Sequence, residues 1–242
     1  MHRIKFFILW ILISSSPVKT VAQLNIPAHF SLVKGGTFVE TEYNAVTKTY
    51  DTLATHEMAS FYMYKFEMQV HIFEQFCKET NTEMPQQPFW SNGLMPVVNV
   101  NYDQAIAFCG WLTEKYQMQF RLPTKEAWQY AARAASNGSE SFRYNRPLPN
   151  EWVVYATDKP QCISCMQPNE IGLYALCGNV WEWTEQQLKG FETTIVGGSY
   201  LEDESAVKVN SQKPFLMQNH QADLGFRVVV EFDDFQNYLE NN

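Results

Sequence analysis

The side chains best suited to chemistry in this 242-residue chain are five cysteines, and only two of them stand close together, in Cys162-Ile163-Ser164-Cys165. Flanked by Pro160 and Pro168, that pair reads first as a loop disulfide. A metal pair is the alternative, but no second Cys or His pair lies near enough to complete four ligands. A thioredoxin-like role fits worse, since no strand-to-helix pattern surrounds the motif. Cys77 and Cys109 fall on apolar helical faces and read as core residues, while the state of Cys177 is open. Of the five histidines, none forms the HxxxH or HExxH spacing of a zinc helix, and no nucleophile-elbow or phosphate-loop motif occurs. The remaining concentration of unusual chemistry is Gly172 to Thr184 (GLYALCGNVWEWT), where Glu182 stands between Trp181 and Trp183, followed by Gly197-Gly198-Ser199-Tyr200 and Leu224-Gly225-Phe226-Arg227. Glycines recurring before aromatics are costly in ordinary strands or helices and mark a specific irregular fold.

The elements that must position these residues are legible in part. Gly35 to Val39 reads as a turn entering a strand, and Phe61 to Phe66 as an aromatic-rich strand. Val70, Phe73, Phe76 and Cys77 recur at helical spacing and predict a helix over 69–79. A second helix is predicted over 102–116, with Asn101 as its cap and Gln104 placed for a capping box. A third begins after Thr124. Residues 135–171 read as irregular chain, and short strands are expected near Ile195-Val196 and from Phe226 to Phe232, before an acidic tail.

Composition narrows the setting. His2, Arg3 and Lys5, the apolar run Phe6 to Ile13 and the small-residue site Thr20-Val21-Ala22 read as a secretory signal peptide over 1–22, leaving 23–242 as one domain. The apolar run is too short for a membrane span, which needs about 20 residues, and no cysteine precedes Cys77 to carry a lipid. An exported protein, periplasmic or secreted, is expected. Without residues 1–22 the chain has 15 basic and 26 acidic residues, a net charge of −11. That field repels nucleic acid.

Together with Gly35-Gly36-Thr37-Phe38, Pro96-Val97-Val98-Asn99-Val100 and Arg121-Leu122-Pro123-Thr124 running into Trp128 to Arg133, the late motifs resemble the formylglycine-generating enzyme, or sulfatase-modifying factor, family over residues 30 to 230. The resemblance implies an α+β fold related to C-type lectins, with short strands, a few helices and much irregular structure. It also implies copper-dependent oxidation of a sulfatase cysteine by O2, carried by two cysteines two and seven positions beyond the aromatic of Gly-Gly-Ser-Tyr. Here those positions are Glu202 and Val207. Cu(I) prefers soft thiolates, so a carboxylate and a valine remove that chemistry, and copper is not expected.

Other family features are thinned. The resemblance places a calcium site on Ala175, Gly178, Val180 and Glu182, where Ala175 stands in for an Asp or Asn, so a weakened site is expected from the last three. The second family calcium site is not assigned, because Tyr155-Ala156-Thr157 offers no asparagine. The family's Thr-Glu-Ala-Glu-Trp reads Thr124-Lys125-Glu126-Ala127-Trp128, and Ala127 cannot return a capping-box bond. Glu182 otherwise accepts backbone N–H groups in a tight loop, Ser199 makes a turn hydrogen bond and Arg227 is a buried hub. Trp181 and Trp183 divide between core and groove wall in an order the sequence leaves open.

Two functions follow. One is a non-catalytic binding or assembly module of the bacterial envelope, presenting a groove of Trp181, Ser199, Tyr200 and Glu202 to a protein or peptide. The alternative is an oxidoreductase, of the formylglycine-generating type or with metal held by an altered site.

Overall fold

In a computed structural model of the chain, residues 26–44, 46–134, 153–185 and 190–242 are described. The expected signal peptide and residues 135–152 of the expected irregular stretch lie outside them.

A short helix α1 (Ile26–His29) leads into β1 (Phe30–Val33). Next come the strands β2 (Gly36–Asn44), β3 (Thr49–Met58) and β4 (Phe61–Tyr64). Helices α2 (Val70–Thr80) and α3 (Tyr102–Tyr116) follow, then β5 (Phe120–Arg121) and α4 (Lys125–Ala132). The C-terminal part holds β6 (Trp181–Trp183), β7 (Glu192–Val196), a 3-10 turn (Glu204–Ala206), β8 (Gln212–Leu216), β9 (Leu224–Gly225), β10 (Val229–Glu231) and α5 (Phe232–Asn241).

The helices form where apolar spacing and caps agree. Val70, Phe73, Phe76 and Cys77 are buried on α2, which stops at Asn81 in the left-handed region (φ 55°). On α3 both halves of the capping box are made, Asn101 accepting from the Gln104 amide and Gln104 from the Asn101 amide. In α4 only half exists: the Thr124 hydroxyl accepts from Ala127 N at 3.1 Å, and the methyl of Ala127 has nothing to return. Phe73 and Phe108 stack at 5.5 Å and lock α2 onto α3.

Two four-stranded sheets, ordered β1-β4-β10-β5 and β8-β7-β6-β9, and the two-stranded β2-β3 sheet carry the rest. In the second, β6 runs parallel to β9 and antiparallel to β7. Gly225 on β9 permits the close approach of the segment carrying Val97, since a Cβ there would stand 2.5 Å from the Val97 carbonyl oxygen.

Three features depart from the sequence reading. The strand beginning at Gly36 is half of a long β2/β3 hairpin, whose second strand, with three Thr and with Asp51, His56 and Glu57, carries little apolar signal. Of the strand expected over 226–232 only Val229–Glu231 (β10) forms, and Phe232 already opens α5. The acidic tail is helical: Asp233 and Asp234 fall in the first turn of α5, where negative charge complements the helix N-terminus. Phe235 buries and stacks on Tyr62 at 3.9 Å.

Candidate functional site

Strand alternation explains how three consecutive residues serve different ends. On β6, Trp181 and Trp183 project from one face and Glu182 from the other. Trp183 is fully buried, its indole N–H donating to the Val100 carbonyl at 2.8 Å and its ring edge-on to Tyr102 and Phe215. Trp183 is therefore core. Trp181 is buried in the same cluster, so it is core as well and not a groove wall.

Glu182 lies at the centre of a buried network. Its carboxylate accepts the indole N–H of Trp128 at 2.8 Å and takes Arg227 in two-point fashion, Nε and Nη2 each at 2.6 Å. The sequence reading gave Glu182 backbone donors. It receives side-chain donors instead, because β6 packs between Trp128 and Arg227. Arg227 is the hub expected of it, since Nη2 also donates to the carbonyls of Tyr174 and Ala175 at 3.0 and 3.3 Å. Such paired, hydrogen-bonded geometry is what makes burial of these charges tolerable.

A second carboxylate, Glu67, stands beside this pair and is wholly buried. It accepts from the Asn179 side chain and, at 3.1 Å, from Val180 N. Burial, then the charge of Glu182, holds its carboxyl well above the usual carboxylate range, against the opposing pull of Arg227. Sequence reasoning missed Glu67. The available signal was a lone acid between Phe66 and Met68.

The expected calcium ligands fare poorly by this geometry. Both oxygens of Glu182 are spent on Arg227, whose guanidinium also holds the Ala175 carbonyl, and Ala175 brings no side-chain oxygen. Calcium asks for six to eight oxygens, and a guanidinium at the anchoring carboxylate opposes it. The residues present do not fit that ion. Gly178 serves the backbone instead. With its φ at +75° and the Val154 carbonyl oxygen pressed against the place a Cβ would take, only glycine is accommodated.

The expected groove residues separate. Ser199 is buried, its hydroxyl donating to Asp223 Oδ2 at 2.6 Å and accepting from Leu201 N at 3.3 Å. Tyr200 is also buried, in a small cluster with Val98, Val154 and Val180 and edge-on to Trp90. Both support the surface rather than face it, because the turn after β7 points inward at Gly197 to Tyr200. Trp181 and Glu202 do come together: the indole N–H donates to Glu202 Oε1 at 3.1 Å. Lys213, from β8, completes the corner, with its Nζ 3.4 Å from the same oxygen and 4.3 Å from the Trp181 ring centroid.

The thiols stand elsewhere. Val207 packs in the core with Cys177, and burial pushes the Cys109 and Cys177 thiols up to about 12 and raises that of Cys77. Thiols held protonated are poor nucleophiles and poor metal ligands. Cys162 and Cys165 are joined in a disulfide with Cα atoms 5.3 Å apart, and the loop is tied inward by Gln161 N donating to Asn179 Oδ1 at 2.8 Å.

The family model of the sulfatase-modifying factor enzyme 1-like domain matches residues 15–232. The chain belongs to this family. Among curated relatives, it is 30% identical over 153 residues to the inactive C-alpha-formylglycine-generating enzyme 2 of Bos taurus, covering 54% of this chain and 49% of that one. It is 32% identical over 103 residues to the formylglycine-generating enzyme of Thermomonospora curvata, covering 36% and 32%. The chain thus spans half or less of these relatives. Solved structures share the fold: PvdO from Pseudomonas aeruginosa (TM-score 0.72, 18% identity, 84% of this chain and 94% of that one) and CarF (0.67, 21%, 85% and 98%). Among the described residues, no helix is long and apolar enough to cross a membrane.

Proposed function

We propose that this family member is an exported, non-catalytic binding or assembly module whose partner, a protein or peptide of the cell envelope, docks at the Glu202-Lys213 corner that overlies the buried Trp181. The observation that carries the reading is the fate of the two positions where the family's activity would place thiols. Glu202 is engaged by an indole and an ammonium, and Val207 is buried in the core. A hard carboxylate and a methyl group supply no soft ligand pair for Cu(I). The name of the bovine relative, an inactive enzyme, agrees.

The surface around the corner supports docking. Trp90 and Tyr200 are in ring contact, and the residues beside them in sequence, Phe89 and Leu201, are 98% and 60% exposed. Large apolar side chains held in water next to a rigid aromatic pair are typical of interaction surfaces.

Metal uptake and turnover test the non-catalytic half. The purified chain, offered Cu(I) and a cysteine-bearing peptide, is expected to consume no oxygen; stoichiometric copper with turnover overturns the proposal in favour of an altered oxidoreductase. For the docking half, a photo-crosslinker replacing Leu201 is expected to capture a discrete envelope protein. That capture should disappear when Glu202→Arg reverses the corner's charge, and its persistence would place the docking surface elsewhere.

A further inference from the structure

A second cluster of ligating groups shares no residue with this corner. Glu40 on β2, His56 on β3 and Glu126 in the first turn of α4 each present a ligand atom, and the three atoms lie within 4.8 Å of one another. The β-hairpin register brings the first two together, pairing Phe38 with His56 two residues before Glu40. Helix α4 supplies the third. All three are partly buried, with side chains 14%, 32% and 13% exposed in the order Glu40, His56, Glu126.

The place already holds a cation. Lys125 reaches between the carboxylates, its Nζ 2.7 Å from Glu40 and 3.4 Å from Glu126. An ammonium, however, uses carboxylates only. The imidazole is the group a salt bridge does not require: His56 Nε2 lies 3.4 Å from Glu40 Oε2, and its ring is set by stacking on Phe38 at 5.8 Å and 28°. The packed ring thus holds one nitrogen toward the carboxylates. Lys125 hangs on a flexible four-carbon stem and can withdraw, whereas Glu40 and His56 are fixed by the hairpin ladder.

We propose that Glu40, His56 and Glu126 form a divalent-metal site of the zinc(II) class, with Lys125 as the resident cation that the metal displaces. One imidazole nitrogen and two carboxylate oxygens are three protein ligands of a tetrahedral ion, with water as the fourth. Mixed nitrogen and oxygen donors favour zinc(II) over calcium or magnesium. Bound there, the ion clamps the hairpin to α4.

Calorimetry on the untagged full chain, with Zn2+ as the probe, tests this. One equivalent is expected to bind. His56→Gln, which keeps a polar side chain but loses the ring nitrogens, should weaken binding by at least the roughly 10- to 100-fold that loss of even an outer partner costs a metal site. Lys125→Met should tighten binding, because it removes the competing cation; a purely structural ion-pair cluster would show no such gain. Melting of each metal-free variant checks that it is folded. Absence of zinc uptake by the wild-type chain, or unchanged affinity in His56→Gln, or weaker binding in Lys125→Met, each overturns the site. X-ray absorption of the zinc complex should report one imidazole ligand, and two or more would place the ion elsewhere.

Discussion

Glu182 and Glu202 are both carboxylates that accept an indole N–H, from Trp128 and Trp181, and both pair with a cation, yet they occupy opposite environments. The Glu182–Arg227 pair has side chains 1% and 0% exposed, whereas Glu202 and Lys213 are 32% and 39% exposed. In the first, removal of one partner strands a charge where no water can reach it. In the second, water and salt replace whatever is lost. One network holds the scaffold, and the other is free to be rearranged by a partner.

The largest effect should come from Arg227→Met. It leaves Glu182 buried without its counter-charge beside Glu67, and a loss of about 3–5 kcal/mol is expected. Chemical denaturation measures it, and a loss below about 1 kcal/mol would erase the contrast between the two pairs.

Glu67 sharpens the comparison through pH. Its carboxyl is raised when folded, so the folded state holds a proton that the unfolded state releases. The unfolded chain binds fewer protons between the usual carboxylate pKa and the folded value, and stability therefore falls as pH rises through that window. Glu67→Gln, which is always neutral, should flatten this fall, while its amide NH2, set against the Asn179 or Val180 N–H, lowers stability at every pH. Melting temperatures of both proteins from pH 4 to 9 decide it; parallel curves would mean that Glu67 stays charged.

The smallest effect belongs to the exposed pair. Glu202→Gln and Lys213→Met should each change stability by less than about 1 kcal/mol. Denaturation midpoints that shift as far as those of Arg227→Met would show that the corner is part of the core after all.

Much of the scaffold was written locally. The apolar spacing of α2, the Asn101/Gln104 box of α3 and the half-cap at Thr124 are near-neighbour features, and each appears where the spacing put it. The second strand of the β2/β3 hairpin and α5 were missed because a polar strand and an acidic turn carry little apolar periodicity, and the burial of α5 comes from a distant partner, Tyr62. In the site, replacement of thiols by Glu202 and Val207 was legible from counting alone. That Ser199 and Tyr200 face inward was not.

The sequence by itself determined the family, the missing ligand pair and the glycines that permit the irregular turns, since those follow from residue identity at fixed spacing. Only the tertiary structure decided that Trp181 and Trp183 are both core, that Glu182 answers Arg227, and that Glu67 reaches Val180 across 113 residues. Those outcomes depend on which chain segments meet in space, and on how much water each meeting expels.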